Sequence, residues 1–260
     1  MATLELAALE SVASMVSLTA PRLVALFAVL PFFSGSMLPG MVRNSLVLML
    51  AIFMAPLSGA ESVPATLALW LGIAAKEALI GTLLGMSLGI FVWALQGVGE
   101  LIDFQTGSGN AAMFDPVAGH QIGPTAQFLG WLVMILFISS GGLLALLGVI
   151  VDSYRLWPVG SFFPKTGLVL EQFVVRQGDT LFQWTVKLAA PVICVLVLVE
   201  VGMGLISRVA PQLNVFVLAQ PLKSLLAHLM LLLCLYLVYA SLQDFLRPDN
   251  GVIDFLRAAL

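Results

Sequence analysis

The sequence predicts an all-α membrane protein, built from helices and helical hairpins that prolines interrupt. Its 260 residues are 60% hydrophobic and only 10% charged, and the mean hydropathy is +1.07. Soluble domains average roughly 45–50% apolar and about 25% charged residues. Because so few polar side chains exist to cover a surface in water, we expect lipid or other apolar protein around the chain.

Six apolar blocks follow one another, and each is predicted to be helical. They cover 11–33, 44–57, 78–102, 126–151, 181–206 and 215–242. A helix that crosses a membrane needs about 20 mostly apolar residues. The second block is short for a span and is predicted to be a half-helix or one arm of a hairpin.

Prolines lie inside or beside almost every block. Each proline removes a backbone donor and kinks or ends a helix, and in hydrocarbon the freed carbonyl must find a partner within protein. Their number therefore indicates helices packed among other helices. They are Pro21, Pro31, Pro56, Pro191, Pro211 and Pro221.

Three glycines at four-residue spacing mark one face of the third block. On a helix, Gly81, Gly85 and Gly89 would line a groove in which a neighbouring backbone can approach closely. That neighbour is expected to be another helix of this chain, and a helix of a different subunit is the alternative.

Two charges, Lys187 and Glu200, interrupt the fifth block. Charges in apolar helices are costly in lipid and usually face protein or water. Their separation of 13 residues puts them on different faces and about 20 Å apart, so on a straight helix they cannot pair. Each is expected to find a partner elsewhere or to reach the membrane interface from a helix end.

No set of catalytic or metal-ligating residues is evident in the sequence. His120 and His228 are far apart, and no His, Cys or carboxylate cluster has ligand spacing. Cys194 and Cys234 lie within apolar blocks and are interpreted as small hydrophobic residues. A hydrolase built on Ser108 with His228 as its base is disfavoured, since nothing orients the pair. We expect no enzyme activity, no metal, no cofactor and, with a net charge of −3, no nucleic-acid partner.

Two polar stretches join the strongest blocks. The first, 99–116, combines glycines with the bulky Met113 and Phe114. Such a loop can fold back into a cavity and block it, although its residues alone favour an ordinary surface loop. The second, 207–216, joins two apolar helices as a hairpin turn would, and its polar groups would cap helix ends or contact a partner.

These stretches resemble the FliR/SctT family of type III secretion export-gate proteins, and the injectisome SctT branch more than the flagellar FliR branch. The run 208–216, with Pro221 and Lys223 after it, is similar to the family's most recognisable motif. Weaker matches follow in family order and spacing at 31–33 with Pro39 and 42–43, at 76–77 with Gly81, and at 103–107 with 115–116.

The resemblance implies a subunit of an export gate in the bacterial inner membrane, at the base of the secretion apparatus. Unfolded substrate proteins would pass through a hetero-oligomeric helical cone made with five SctR-type and four SctS-type chains, near SctU- and SctV-type partners. Residues 1–180 would be similar in build to an SctR subunit, with a central plug loop at about 103–120. Residues 181–260 would be similar to an SctS hairpin with a short tail.

The resemblance also assigns two sets of site residues. The loop that helps to close the channel would include Thr106, Gly107, Ser108, Gly109, Asn110, Met113, Phe114, Asp115 and Pro116. The hairpin turn at the cytoplasmic side, where partners would make contact, would include Arg208, Pro211, Gln212, Asn214, Phe216 and Lys223.

The alternative to an export gate is a small-solute secondary transporter. Such transporters use broken helices at the middle of the membrane and usually contain internal repeats. The two halves of this sequence show no convincing repeat, so the gate subunit is favoured.

Overall fold

The computed structural model describes residues 2–33, 39–57, 66–108, 123–161, 167–212 and 214–246. These residues form helices and turns, with no strand among them, which confirms the all-α prediction. Short 3₁₀ turns at Pro31–Phe33 and Ala55–Leu57 follow the first two helices. The α-helices are α1 Ala2–Val29, α2 Gly40–Met54, α3 Leu67–Thr106, α4 Pro124–Ser139, α5 Gly142–Leu156, α6 Gly167–Val209 and α7 Val215–Leu246.

Four stretches of the described residues are long and apolar enough to cross a membrane. They are Gly40–Leu57, Leu67–Thr106, Gly178–Val209 and Val217–Leu246, and α4 with α5 would add a fifth. The first of these begins four residues before the predicted block and reaches 18 residues with its 3₁₀ turn. This segment is therefore long enough to be a candidate span, in contrast to the half-helix that the shorter block predicts.

The chain divides into two compact units, and neither is continuous in sequence. The first comprises Met1–Ile90, Gly141–Gln177 and Leu246–Leu260. The second comprises Phe91–Ser140 and Gly178–Phe245. The boundaries fall inside α3, between α4 and α5, inside α6 and at the last residue of α7. The predicted division near residue 180 stays a prediction.

In the first unit, α1 packs against α2 and fills the glycine face of α3. Gly81 lies so close to the Arg22 carbonyl that an added Cβ would overlap the oxygen. An added Cβ at Gly85 would lie 2.9 Å from Val29 Cβ and 3.0 Å from the Leu26 carbonyl oxygen. At these two positions the backbone in the groove belongs to the same chain, while Gly89 is simply buried.

The apolar block 126–151 is divided, in contrast to the single span that its length predicts. Helix α4 ends at Ser139 and α5 begins at Gly142. Between them Gly141 adopts a φ of +80°, a left-handed conformation that glycine reaches without steric cost. The Ser-Ser-Gly-Gly sequence at 139–142 is the local cause of the break.

Prolines do not end every helix in which they occur. Pro21, Pro191 and Pro221 lie inside α1, α6 and α7, which continue past them. Pro31 and Pro56 lie in 3₁₀ turns, and Pro211 lies in the turn between α6 and α7. Half of these prolines therefore mark ends or turns, and the other half are accommodated within long helices.

Replacing Gly81 by alanine is expected to lower the free energy of unfolding by about 1–3 kcal/mol, because the methyl group would force α1 away from α3. Gly148→Ala is the matched control, since nothing lies within 4 Å of its Cβ position. The control should be neutral or stabilising by up to about 1 kcal/mol through helix propensity. Thermal melting in detergent checks both; equal melting temperatures for the two variants would contradict the packing.

Candidate functional site

A buried ion pair joins α1 to α3 in the first unit. Arg22 Nε donates to Glu77 Oε2 at 2.7 Å, and both side chains are fully buried. The remaining donors of Arg22 reach Ser153 Oγ at 3.0 Å and the Trp157 carbonyl at 2.9 Å. The guanidinium also lies 4.0 Å from the centre of the Tyr154 ring. Arg22 thus connects α1, α3 and α5.

Lys76 anchors the segment that follows α5. Its ammonium donates to the carbonyls of Pro158, Val159 and Ser161 at 3.2, 2.8 and 3.1 Å. It also lies 2.8 Å from Glu77 Oε1. That contact is an ion pair rather than an aligned hydrogen bond, since Oε1 has no hydrogen-bond partner among the described residues. Glu77 therefore faces two cations at once.

This network is the polar feature that the sequence analysis missed. Arg22 interrupts the first apolar block, and 76–77 contributes to the family resemblance, but the partners are 55 residues apart. No local periodicity links residues at that separation. The only indication in the sequence is the cost of a lone charge in an apolar helix, which demands a partner without naming it.

In the second unit, Asp103 ties the end of α3 to the start of α4. The carboxylate of this buried residue accepts hydrogen bonds from the backbone N–H groups of Thr125 and Ala126, at 2.9 and 3.1 Å. Its other oxygen accepts from Ser108 Oγ at 3.1 Å. A carboxylate at a helix N-terminus satisfies free N–H groups and the helix dipole together. Asp103 is the cap of α4, supplied from another helix.

Close packing reinforces this junction. Glu100 Oε1 accepts from the Gly123 N–H at 3.0 Å. An added Cβ on Gly123 would overlap the Asp103 carboxylate, and one on Gly99 would overlap the Ala126 backbone. The two ends of the 109–122 segment are therefore held together by described residues.

Of the predicted plug residues, the structure describes only Thr106, Gly107 and Ser108. Thr106 Oγ1 and Ser108 Oγ are 2.7 Å apart, and Gly107 has a φ of 75°. These three form the α3 end of the junction with Asp103. The other members of the set, Gly109, Asn110, Met113, Phe114, Asp115 and Pro116, lie outside the described residues.

The predicted hairpin turn joins α6 to α7 in the second unit. Arg208, Pro211, Gln212 and Asn214 are exposed there. Asn214 Oδ1 lies 3.5 Å from the Val217 backbone N, a weak cap at the start of α7. The side chain of Phe216 lies outside the described part.

Lys187 and Glu200, the two charges predicted to need partners, make different contacts. Glu200 Oε2 lies 3.4 Å from Lys223 Nζ across the hairpin. Lys187 is exposed, and its ammonium lies 4.8 Å from the centre of the Trp184 ring. Glu200 is 11 residues before Pro211 and Lys223 is 11 after Gln212, so equal distance from the predicted turn could have identified that pair.

Comparison with known proteins places the chain in a family. The model of the family described as "Bacterial export proteins, family 1" matches residues 13–247. The chain is 38% identical over 222 residues to Yop proteins translocation protein T of Yersinia pestis, covering 84% of each chain. It is 32% identical over 213 residues to the surface presentation of antigens protein SpaR of Salmonella typhimurium, covering 82% of this chain and 79% of SpaR. It is also 32% identical over 216 residues to the flagellar biosynthetic protein FliR of Escherichia coli, covering 80% and 81%.

The chain belongs to the FliR/SctT family of bacterial export proteins.

This FliR/SctT-family chain is a membrane subunit of a type III protein export apparatus, with a multi-pass position in the inner membrane. Its relatives are export-apparatus proteins and not solute transporters, which removes the transporter alternative. In the part of this chain that the structure describes, no group of three His, Cys, Asp or Glu residues could hold a metal ion. Ser108, the one nucleophile considered from sequence, is engaged with Asp103 and Thr106.

Replacing Asp103 by alanine is expected to destabilise the FliR/SctT-family chain by about 1–3 kcal/mol, because two buried N–H groups lose their acceptor. Asp103→Asn, which keeps one acceptor oxygen, should cost less. Asp179→Ala on the exposed part of α6 is the matched control. Thermal melting of the four proteins checks the order; an Asp103→Ala variant as stable as the control would contradict the capping role.

Proposed function

We propose that the chain forms part of the wall of the export channel and has no chemistry of its own. The observation that carries this proposal is the contrast between its helices. In the apolar window of α3, 67% of the residues are buried within the chain, against 17% for α6 and 28% for α7. The α6–α7 hairpin thus leaves most of its apolar surface for lipid or for other subunits.

The partners proposed for this surface are SctR- and SctS-type subunits, in five and four copies, with SctU- and SctV-type proteins near the hairpin turn. Shared family membership supports assembly with other gate components. The division into an SctR-like part, 1–180, and an SctS-like hairpin, 181–260, belongs to the same proposal. The higher identity to the Yersinia translocation protein than to the Escherichia flagellar protein, 38% against 32%, favours the injectisome branch.

Assembly is tested by a substitution on the uncovered face of α6. Leu198 is 70% exposed within the chain. Leu198→Trp is expected to reduce co-purification with SctR- and SctS-type subunits several-fold, since an extra ring costs about 1–3 kcal/mol in a packed interface and is tolerated against lipid. Leu198→Met, which nearly conserves volume, is the control.

Co-expression provides the complementary readout. The chain expressed alone should aggregate, and the two partner types should rescue it. A soluble, monodisperse protein without partners, together with unaffected co-purification of the tryptophan variant, would contradict the proposed assembly.

The loop 106–116 is proposed to plug the channel at rest. The support is the junction at Asp103, which joins Ser108 near the start of this loop to Thr125 and Ala126, and the two bulky side chains that the loop carries. Replacing Met113 and Phe114 together by glycine is expected to make the resting gate leak small ions, measured as membrane conductance of cells that carry the assembled apparatus. Ala111 and Ala112 replaced by glycine give the matched control. Equal conductance of both double variants would remove the plug assignment.

A further inference from the structure

A cleft of about 380 Å³ opens within the second unit, between the end of α3 and the α6–α7 hairpin. Its lining carries an ion pair, two amide side chains, a hydroxyl and several apolar side chains. Its lining residues include Gln105, Glu200, Met203, Ser207, Gln220 and Lys223. A concave site of this kind, largely apolar with a few polar groups that converge, is typical of ligand sites.

Lys223 is incompletely satisfied in this cleft. Its side chain is only 10% exposed, and its ammonium carries three N–H donors. Among the described residues these donors face one acceptor, Glu200 Oε2, at 3.4 Å. An ammonium with a single contact of 3.4 Å has donors left for a ligand. The cleft therefore offers an unfilled position for an anion beside Lys223.

Glu200 provides the opposite charge at the mouth of the same cleft. Its side chain is 61% exposed, although it lies on an apolar helix. Val197 and Gly204, one turn before and one turn after Glu200 on the same side of α6, are also exposed, so this carboxylate lies on a face that the described residues do not cover. A cationic donor beside Glu200, together with an anion beside Lys223, would complete both groups.

The positions of the charges along α7 place this cleft at the level of lipid headgroups. Residues 224–243 are 20 residues without Asp, Glu, Lys or Arg, between Lys223 and Asp244. About 20 residues is the length that crosses the hydrocarbon core. Lys223 and Asp244 therefore lie at the two interfaces, with the exposed Tyr239 near the second, as in the aromatic belts of membrane proteins.

The packing of α6 agrees with this placement. Trp184 on α6 and Phe245 on α7 both contact Phe91, with ring centres 5.7 and 5.5 Å from it. The early part of α6 thus lies at the Asp244 end of α7, and Glu200 lies at the Lys223 end. The hairpin is antiparallel, and its ion pair lies at one interface.

We propose that this cleft binds the headgroup of a zwitterionic phospholipid with a primary ammonium, that is, a phosphatidylethanolamine. The phosphate accepts from Lys223, the ammonium donates to Glu200, and the acyl chains lie along the exposed faces of α6 and α7. A choline headgroup cannot donate to Glu200. A phosphatidylglycerol headgroup supplies a phosphate for Lys223 but no cation for Glu200. Its net negative charge would therefore lie beside the Glu200 carboxylate, which is unfavourable.

The test titrates lipids onto the delipidated full-length chain, purified with the export-apparatus subunits that it needs to remain soluble. Palmitoyl-oleoyl phosphatidylethanolamine, phosphatidylcholine and phosphatidylglycerol are added separately, and retained lipid is counted by native mass spectrometry. The ethanolamine lipid is expected to saturate one site at about tenfold lower concentration than the choline lipid, as one charge-assisted hydrogen bond provides.

Three variants separate the two charges. Lys223→Met keeps length and apolar packing and should weaken retention of the ethanolamine lipid by about tenfold or more, while Lys223→Arg should retain it. Glu200→Gln keeps the size of a side chain that is 61% exposed, and it should reduce the affinity for the ethanolamine lipid to that for the choline lipid. Each variant is compared with the wild-type protein only if its subunit composition and melting temperature are unchanged. If Lys223→Met fails to fold, the ratio of the two lipid affinities in the Glu200→Gln variant decides.

Equal retention of the three lipids by the wild-type protein would overturn the proposal, as would a Glu200→Gln variant that still prefers the ethanolamine lipid. A protein occupant is detected separately. A benzophenone attached to Cys at position 207, in Ser207→Cys with Cys194→Ala and Cys234→Ala to remove the two native thiols, should cross-link to lipid. A cross-link to a partner polypeptide would show that another subunit fills the cleft and would reject the lipid.

Discussion

The pairing of Arg22 with Glu77 is the contact on which the first unit depends. Two charges without solvent are stable only when each has a partner and its remaining donors or acceptors are satisfied. Arg22 meets this requirement through α3 and α5 together, and Lys76 binds the carbonyls after α5 beside the same carboxylate. The close approach of α1 at Gly81 brings the arginine into reach. Helix packing and charge neutralisation therefore support each other.

In the second unit, some polar groups have a full set of hydrogen-bond partners and others do not. Asp103 has three donors around one carboxylate and fixes the start of α4. Glu200 and Lys223 have one long contact between them and an open cleft beside it. The apolar faces of α6 and α7 are also left uncovered. One part of the subunit is therefore stabilised by contacts within the chain, and another part leaves surface for lipid or other subunits. This is expected of a member of an export apparatus.

Much of the fold could be predicted from sequence because helix formation by apolar blocks is local. The hairpin turn within 207–216 and the glycine face of α3 followed from short-range patterns in the same way. Hydropathy did not predict the break at Gly141, because the break lies within an apolar block. The local signal was the Ser-Ser-Gly-Gly sequence at 139–142. The Arg22–Glu77 pair could not be predicted, since it depends on how three helices pack, and the plug assignment rests on family resemblance rather than on described residues.

The most direct test of the central contact is a double-mutant cycle on Arg22→Met and Glu77→Gln, measured as free energies of unfolding of the full-length chain in one detergent. Glu77→Gln should be the more damaging, because it leaves Arg22 and Lys76 without a counter-charge, whereas Arg22→Met leaves Lys76 paired with Glu77. We expect a coupling energy of at least about 1 kcal/mol between Arg22 and Glu77. The solvent-accessible Asp152–Arg155 pair, 3.6 Å apart, should show a coupling energy of about 0.5 kcal/mol or less. Additive losses of unfolding free energy for Arg22→Met and Glu77→Gln, with a coupling energy no larger than that of the surface pair, would contradict the central role of this contact.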